Sequence, residues 1–359
     1  MKKYLLPFLF VLIFNISKAQ ELNLSDKHLL SNGTERDFYI DKQLDLYKLL
    51  PSTLSLWSNG DWSSIRFNGT YESGDFKTVD AFETDQKIAF KTESVQSFAK
   101  QKLKFYGNFT YHTAKHEEAD WNLFYQKSEV GSPFRMVTDR MGDWRTKHYG
   151  VTGMMTKQVS ERLHVGVSAK YAGDLYFRIV DTRNEQFNLA LDFQASASYQ
   201  LHNNQYLSMG ISYRRKKSEP QYSNKFKVNG TEYYPYISTG LGDFEDQEGL
   251  DKLLITDQNP SFLVAYHSGN KNKFSATYTF YPGKEEWKYY ITSVDSPISE
   301  NLYKYEYQKH DFGLSHLVNS DQYRLLSRLK AEVITGKGYI FRTSYQDSYI
   351  YDGQKLNAS

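Results

Sequence analysis

Few side chains in this 359-residue sequence stand at spacings that catalysis requires. Nine histidines and many serines are present, but no G-x-S-x-G elbow accompanies them, so a Ser–His nucleophile has no motif behind it. His112 and His116 lie four apart without the H-E-x-x-H pattern that would mark zinc. Together with Glu117, Glu118 and Asp120 they could supply paired acids and a histidine, although a hydrated loop explains them equally. Gly242–Asp251 (GDFEDQEGLD) offers the clustered carboxylates that a hard cation prefers. Its register fails the EF-hand pattern, because the required glycine and distal glutamate are misplaced, and a solvated loop is the simpler reading. The sequence predicts no catalytic residue, no metal and no cofactor.

Two other groups suggest binding. Arg214, Arg215, Lys216 and Lys217 are four successive cations, matched to phosphate oxygens. A solubilising strand end is the alternative. Tyr233, Tyr234 and Tyr236 around Pro235, and Trp287, Tyr289 and Tyr290 around Lys288, are expected in long loops. Rings in such loops can stack on a ligand or a partner protein, or pack the loop against itself.

Composition narrows the setting. The 44 basic and 42 acidic residues give a net charge of +2, and residues 1–19 hold three lysines and no acid. Without that segment the balance is 2 − 3 = −1, which offers no excess basic charge for nucleic acid. The absence of cysteine excludes disulfide scaffolds, Fe–S clusters and thiol chemistry. Thirty Tyr, 23 Phe and 5 Trp bring aromatics to 16%, which suits a β-protein with aromatics at an interface.

The elements that must position these residues start after residue 60. Residues 1–19 have the layout of a secretory signal: Lys2 and Lys3, an apolar run Tyr4–Ile16, then Ser17-Lys18-Ala19. That run is too short for the ~20 residues of a spanning helix. Residues 20–60 read as a periplasmic leader or short plug, with helical spacing in Asp41–Leu50 that ends before Pro51. From Trp62 the pattern has period two. Examples are Ile65–Tyr71, Leu103–Tyr111, Leu163–Tyr171, Leu189–Leu201, Leu207–Tyr213, Phe274–Phe280 and Tyr323–Val333, each with one apolar and one polar face. Eleven such segments are clear, and Tyr339–Tyr345 is a marginal twelfth.

Short polar turns at 99–101, 160–162, 202–205, 269–272 and 319–322 alternate with long connections at about 114–146, 174–186, 218–259 and 283–302. A secreted sandwich or propeller would also alternate, but with strands of 4–8 residues. Many segments here are longer, near the ~9–11 residues that cross a bilayer when tilted. The expected fold is therefore all-β: an antiparallel transmembrane barrel over residues 61–359, of about 12 strands or a 12-strand portion of a larger one. Short turns would be periplasmic and long loops extracellular.

With its signal ending Ser17-Lys18-Ala19-Gln20 and its tyrosine-rich strands such as Leu189–Leu201 and Tyr206–Arg215, the chain resembles outer-membrane β-barrel proteins of the Bacteroidota, many of unknown function. The resemblance is one of style over residues 60–336. It implies location in the bacterial outer membrane and a role as a pore, transport component or structural partner of a surface complex. An outer-membrane hydrolase and a secreted carbohydrate-binding β-protein are the alternatives. Expected partners are outer-membrane lipid, lipopolysaccharide phosphates at Arg214–Lys217 and other surface proteins, with no nucleic acid. The ending Asn357-Ala358-Ser359 departs from the usual terminal aromatic. Closure is then expected either from Tyr339–Tyr345 pairing with Ile65–Tyr71 or from strands following Ser359.

Overall fold

The structure, a computed structural model, describes residues 44–57, 60–74, 82–124, 129–223, 235–240, 243–246, 252–269, 272–291, 298–319, 324–341 and 348–358. The chain divides into units Met1–Asp45 and Leu46–Ser359, and the second contains the sheet described below.

Its first strands are β1 (Trp62–Ser73), β2 (Thr84–Phe98), β3 (Leu103–Ala119), β4 (Arg135–Val137) and β5 (Gly142–Gln158). β6 (Leu163–Arg178), β7 (Arg183–His202), β8 (Gln205–Ser223), β9 (Tyr236–Gly240) and β10 (Asp243–Asp246) follow. β11 (Leu253–Ser268), β12 (Lys273–Ile291), β13 (Ile298–Asn319), β14 (Arg324–Phe341) and β15 (Ser348–Ala358) complete the chain. Twelve strands form one antiparallel sheet in the order β1-β2-β3-β5-β6-β7-β8-β11-β12-β13-β14-β15, while β10-β9-β4 form a separate small sheet. Each strand of the large sheet pairs with its neighbour in sequence once the small sheet is set aside. Among the described residues β1 and β15 are its edges.

The segments with period two lie on strands wherever they are described, Tyr323 and residues 342–345 lying outside the described residues, and the strands are longer than their apolar stretches. Past the apolar positions the alternation continues in charged residues, as in Lys284, Glu286 and Lys288 of β12, and an apolar count cannot register it. The expected loop at 174–186 shrinks to the turn between β6 and β7, and that at 283–302 is largely the ends of β12 and β13. Trp287 and Tyr289 therefore stand on a strand, not in a loop. Tyr339–Phe341 is the end of β14, continuous with Arg324, and pairs with β13 and β15 rather than with Ile65–Tyr71. The twelfth strand is β15, in which Tyr349, Ile350 and Tyr351 are consecutive rather than alternating, so period two gives no signal there. The helix expected over Asp41–Leu50 is a single turn at 44–47, followed by a 3-10 helix at Pro51–Leu56.

That 3-10 helix explains how the sheet is shaped. Pro51 presets φ and lacks an N–H that the first turn could not satisfy. Thr53 Oγ1 donates to the carbonyls of Leu50 (2.7 Å) and Tyr47 (2.9 Å), which tightens the turn. Ser52 bonds through its backbone N–H to Ser196 Oγ (2.8 Å) and through its hydroxyl to Ser198 (2.7 Å), both on β7. Leu50 buries itself against Leu263 and Ala265 of β11, worth about 2 kcal/mol. Lys48 meets Glu93 of β2 at 3.0 Å, while the ring of Tyr47 lies under Lys273 of β12 at 5.3 Å. β2 and β12 are seven steps apart in the sheet, about 34 Å if it were flat. Adjacent residues touch both because the sheet curls round them.

The curled sheet thus has an inner and an outer face. The inner face is polar and buried, with Glu93, Thr146, Thr156, Gln186, Ser198 and Ser208. The outer face presents large apolar side chains to the surroundings, including Phe67 (76% exposed), Ile211 (64%) and Leu329 (58%). Pairing rows show how that apolar surface runs. One outer row reads Leu163, Tyr199, Leu207, Tyr266, Ala276, Leu314 and Leu329 from β6 to β14. Another begins Phe67, Phe90, Tyr111 and Tyr149, passes Gly173 and Leu189, and ends Lys217, Thr256, Glu286 and Lys304. The apolar band therefore crosses the rows obliquely.

Candidate functional site

At the end of the sheet away from the short turns, β8, β11, β12 and β13 expose a different inner surface. Side chains two apart share a face, so Arg214 and Lys216 of β8, Asp257 and Asn259 of β11, Glu285 and Trp287 of β12, and Tyr305 and Tyr307 of β13 all point inward. The connection from β3 to β5 folds onto them and brings Phe124, Glu129 and Phe134. Among these groups lies a cavity of about 240 Å³, lined by the rings of Phe124, Phe134 and Trp287 and by the charged or acidic side chains of Glu129, Lys216, Asp257 and Glu285.

The aromatic wall is packed in tilted and edge contacts. Trp287 is 2% exposed, meets Tyr303 at 6.2 Å and 89°, and lies 6.0 Å from Phe124. Phe134 and Tyr303 are 4.7 Å apart. Tyr303 anchors the small sheet by donating to Glu245 of β10 at 2.5 Å.

The polar wall is ordered by charge. Glu129 receives Arg214 at 2.7 Å and Lys216 at 3.0 Å. Burial opposes its ionisation, but those two cations outweigh burial and hold its carboxyl down at about 2. At Glu285 burial dominates instead, and the charge of Lys216 offsets it least. Burial pushes it up to about 7, only partly offset by the indole N–H of Trp287, which donates to it at 2.8 Å. Lys284 and Glu286, its outward neighbours, are charged, so this stretch of β12 lies beyond the apolar band. Burial likewise raises Asp257, which accepts from the Tyr307 hydroxyl at 2.8 Å. The site thus offers rings for an apolar body and, for a polar end, a carboxyl that burial shifts toward its neutral form.

Strand alternation divides the four successive cations. Arg214 and Lys216 enter the site, whereas Arg215 and Lys217 face outward, Lys217 paired with Glu219. Trp287 joins the site, and Tyr289 packs beside its aromatic wall. Tyr236 lies in β9, and Tyr233 and Tyr234 lie outside the described residues. His112 and His116 do not converge with the acids near them on one centre. His112 stacks on His148 at 4.6 Å, and His116 sits 3.3 Å from Asp85. In Gly242–Asp251, Asp243–Asp246 form β10, and 247–251 lie outside the described residues. Among the described residues no cluster of three or more His, Asp or Glu could hold a metal. Glu129, Asp257, Asn259, Glu285 and Tyr307 were not anticipated. The available signal was the i, i+2 spacing of Asp257 with Asn259 and of Glu285 with Trp287, acids and amides on what becomes an inner face.

A family model described as a family of unknown function (DUF6850) matches residues 51–359. No curated protein matches the chain. Among solved structures, the chain is similar to the toluene transporter TbuX of Ralstonia pickettii at 12% identity and a TM-score of 0.36, over 86% of this chain and 90% of that one. It is similar to the toluene transporter TodX of Pseudomonas putida at 10% identity and a TM-score of 0.38, over 83% and 84%. The siderophore receptor PiuA of Acinetobacter baumannii gives 8% identity and a TM-score of 0.43, over 84% of this chain and 60% of that one.

Proposed function

The chain belongs to the DUF6850 family, and for it we propose an integral outer-membrane barrel that binds and passes a small solute, without catalysis. The observation that carries this reading is the oblique apolar band on the outer face. A sheet whose outer face is apolar and whose inner face is buried and polar has the inside-out polarity of a strand barrel in lipid. Strands that cross a bilayer tilt by about 35–45°, so a horizontal lipid band must cut across their pairing rows. A soluble sheet has no reason for such obliquity, and an exposed apolar surface this extensive needs a cover. Among the described residues no helix is long and apolar enough to cross a membrane.

In this reading the short turns are periplasmic and the β3–β5 connection lies outside. The interior is occupied at both ends, by Leu46–Trp57 near the turns and by the aromatic wall near the long connections, which favours gated passage over an open pore. Arg215 and Lys217 stand at the outer rim of the band, where lipopolysaccharide phosphates would meet them.

Migration on gels before and after heating, with circular dichroism in detergent, tests the barrel. Heat-modifiable migration and a β-type spectrum are expected. A protein that is soluble and monomeric without detergent overturns the reading. Turnover of lipid or peptide by the folded protein would overturn the non-enzymatic part.

A further inference from the structure

The wall between β11 and β12 is interrupted. The two strands pair from Leu253 to Gln258 and again from Phe262 to Ser268, but not at Asn259–Ser261. Gln258 opposes Lys284 on one side of the break and Phe262 opposes Phe280 on the other, so the register is unchanged and Pro260 stands opposite Pro282. A directly opposed antiparallel pair exchanges two N–H···O bonds or none, and with proline on both strands neither bond can form. Each strand keeps its other partner through the break, Pro260 with Tyr213 and Pro282 with Gln308.

Outside the break lies a cavity of about 700 Å³, with Pro260, Pro282 and Lys284 in its lining. It stands directly above Ile211, Phe262 and Phe280, the upper margin of the apolar band at these strands. Inside the break lies the smaller cavity lined by Asp257, Glu285 and Trp287. Tyr307 lines the outer cavity and hydrogen-bonds to Asp257, which lines the inner one. Tyr307 of β13 lies across Gly283, whose missing Cβ leaves room for the ring. Its hydroxyl donates to Asp257 at 2.8 Å and accepts from Asn259 Nδ2 at 2.9 Å, both on β11. Tyr307 thereby spans the place where the backbone ladder is absent.

We propose that the Pro260–Pro282 break is a lateral portal latched by Tyr307, through which a small amphipathic molecule with an apolar ring or short chain and an uncharged polar end moves between the outer leaflet and the cavity at Trp287. This rests on the barrel reading. The proline pair keeps the wall unsealed, and side-chain hydrogen bonds that can swing aside replace backbone bonds that cannot. The rim holds polar groups for the head, and the aromatic wall receives the body.

The chain has no cysteine, so introduced thiols act alone. The Pro260→Cys, Pro282→Cys protein in lipid vesicles is bridged by a short bifunctional methanethiosulfonate and released by reductant. The probe is 4-bromobenzyl alcohol, whose bromine quenches tryptophan at contact, and comparison with the Trp287→Phe variant isolates the signal of Trp287. Bridging should slow quenching at least tenfold, reductant should restore it, and Tyr307→Ala should speed it severalfold. A change of less than twofold on bridging, or no contact quenching of Trp287 at saturation, overturns the portal. Heat-modifiable migration of the same sample reports on the barrel independently, so failure of one idea is distinguishable from failure of the other.

Discussion

Lys48 lies 3.0 Å from Glu93, and that contact ties the inserted segment to β2 across 45 residues of sequence. Glu93 also meets Lys91 at 2.7 Å and accepts from the Tyr106 hydroxyl at 3.1 Å. Losing Lys48 leaves the carboxylate with a cation, whereas losing the carboxylate leaves several cations facing one another.

Glu93→Gln is therefore expected to loosen Leu46–Trp57 more than Lys48→Ala does. The full loss of a buried partner costs about 3–5 kcal/mol, and Lys48→Ala should cost on the order of 1 kcal/mol because Lys91 remains. Protease cleavage within the segment, or current through planar bilayers, reads the difference. If Lys48→Ala has the larger effect, the hub assigned to Glu93 is wrong.

A second prediction concerns close approach. A Cβ at Gly166 would stand 2.5 Å from the Pro51 carbonyl carbon and the Ser52 nitrogen, which are backbone atoms that cannot turn aside. Gly153 faces open space. Gly166→Ala should displace the 3-10 helix and raise bilayer current, with Gly153→Ala as the silent control. Equal behaviour of the two variants would sink the assigned contact.

The third follows from Glu285. Its folded pKa, about 7, lies above the ordinary 4.5, so the folded state binds the proton more tightly than the unfolded state does. Its contribution is fully present below about 4.5 and is lost as pH rises through about 7. Hydrogen exchange near Trp287 should therefore quicken between pH 5 and pH 8, and Glu285→Gln, which keeps an acceptor for the indole N–H, should flatten the profile. Glu129 behaves oppositely, its contribution present above about 4.5 and lost toward about 2. Since its side chain is 59% exposed, its pairs should count for no more than about 1 kcal/mol. An unchanged pH profile in Glu285→Gln would assign the dependence elsewhere.

The apolar band supplies the fourth. Met209→Arg, inside the band on the outer face of β8, and Leu329→Arg should each cost about 2–4 kcal/mol of folding stability in vesicles, and Glu286→Arg, on the charged part of the outer face, less than about 1 kcal/mol. Similar costs at all three positions would remove the band from the lipid.

The strands were legible because alternation of Leu, Phe, Tyr and Val survives in any one of them, as in Leu189–Leu201. Their ends were not, since Lys284 and Glu286 continue a strand without apolar contrast, and β15 has almost none. The site was half legible. Arg214, Lys216 and Trp287 stood out by type, but only pairing shows that Arg215 and Lys217 turn away. Glu129 reaches Arg214 from 85 positions earlier, and no local pattern encodes such a contact. Pro260 and Pro282 were visible as letters, but their opposition depends on register.

The inserted segment rests on hydroxyls. Ser52 bonds with Ser196 and Ser198, and Ser198 continues to Ser208 at 2.7 Å. A water molecule can take the place of each of these bonds in turn at little enthalpic loss. The aromatic wall has no such substitute, because water cannot replace a ring. If the Leu46–Trp57 segment is pulled away from the sheet, the serine-held end should hydrate and yield stepwise while the aromatic end stays dry, so the two ends would come apart in a fixed order.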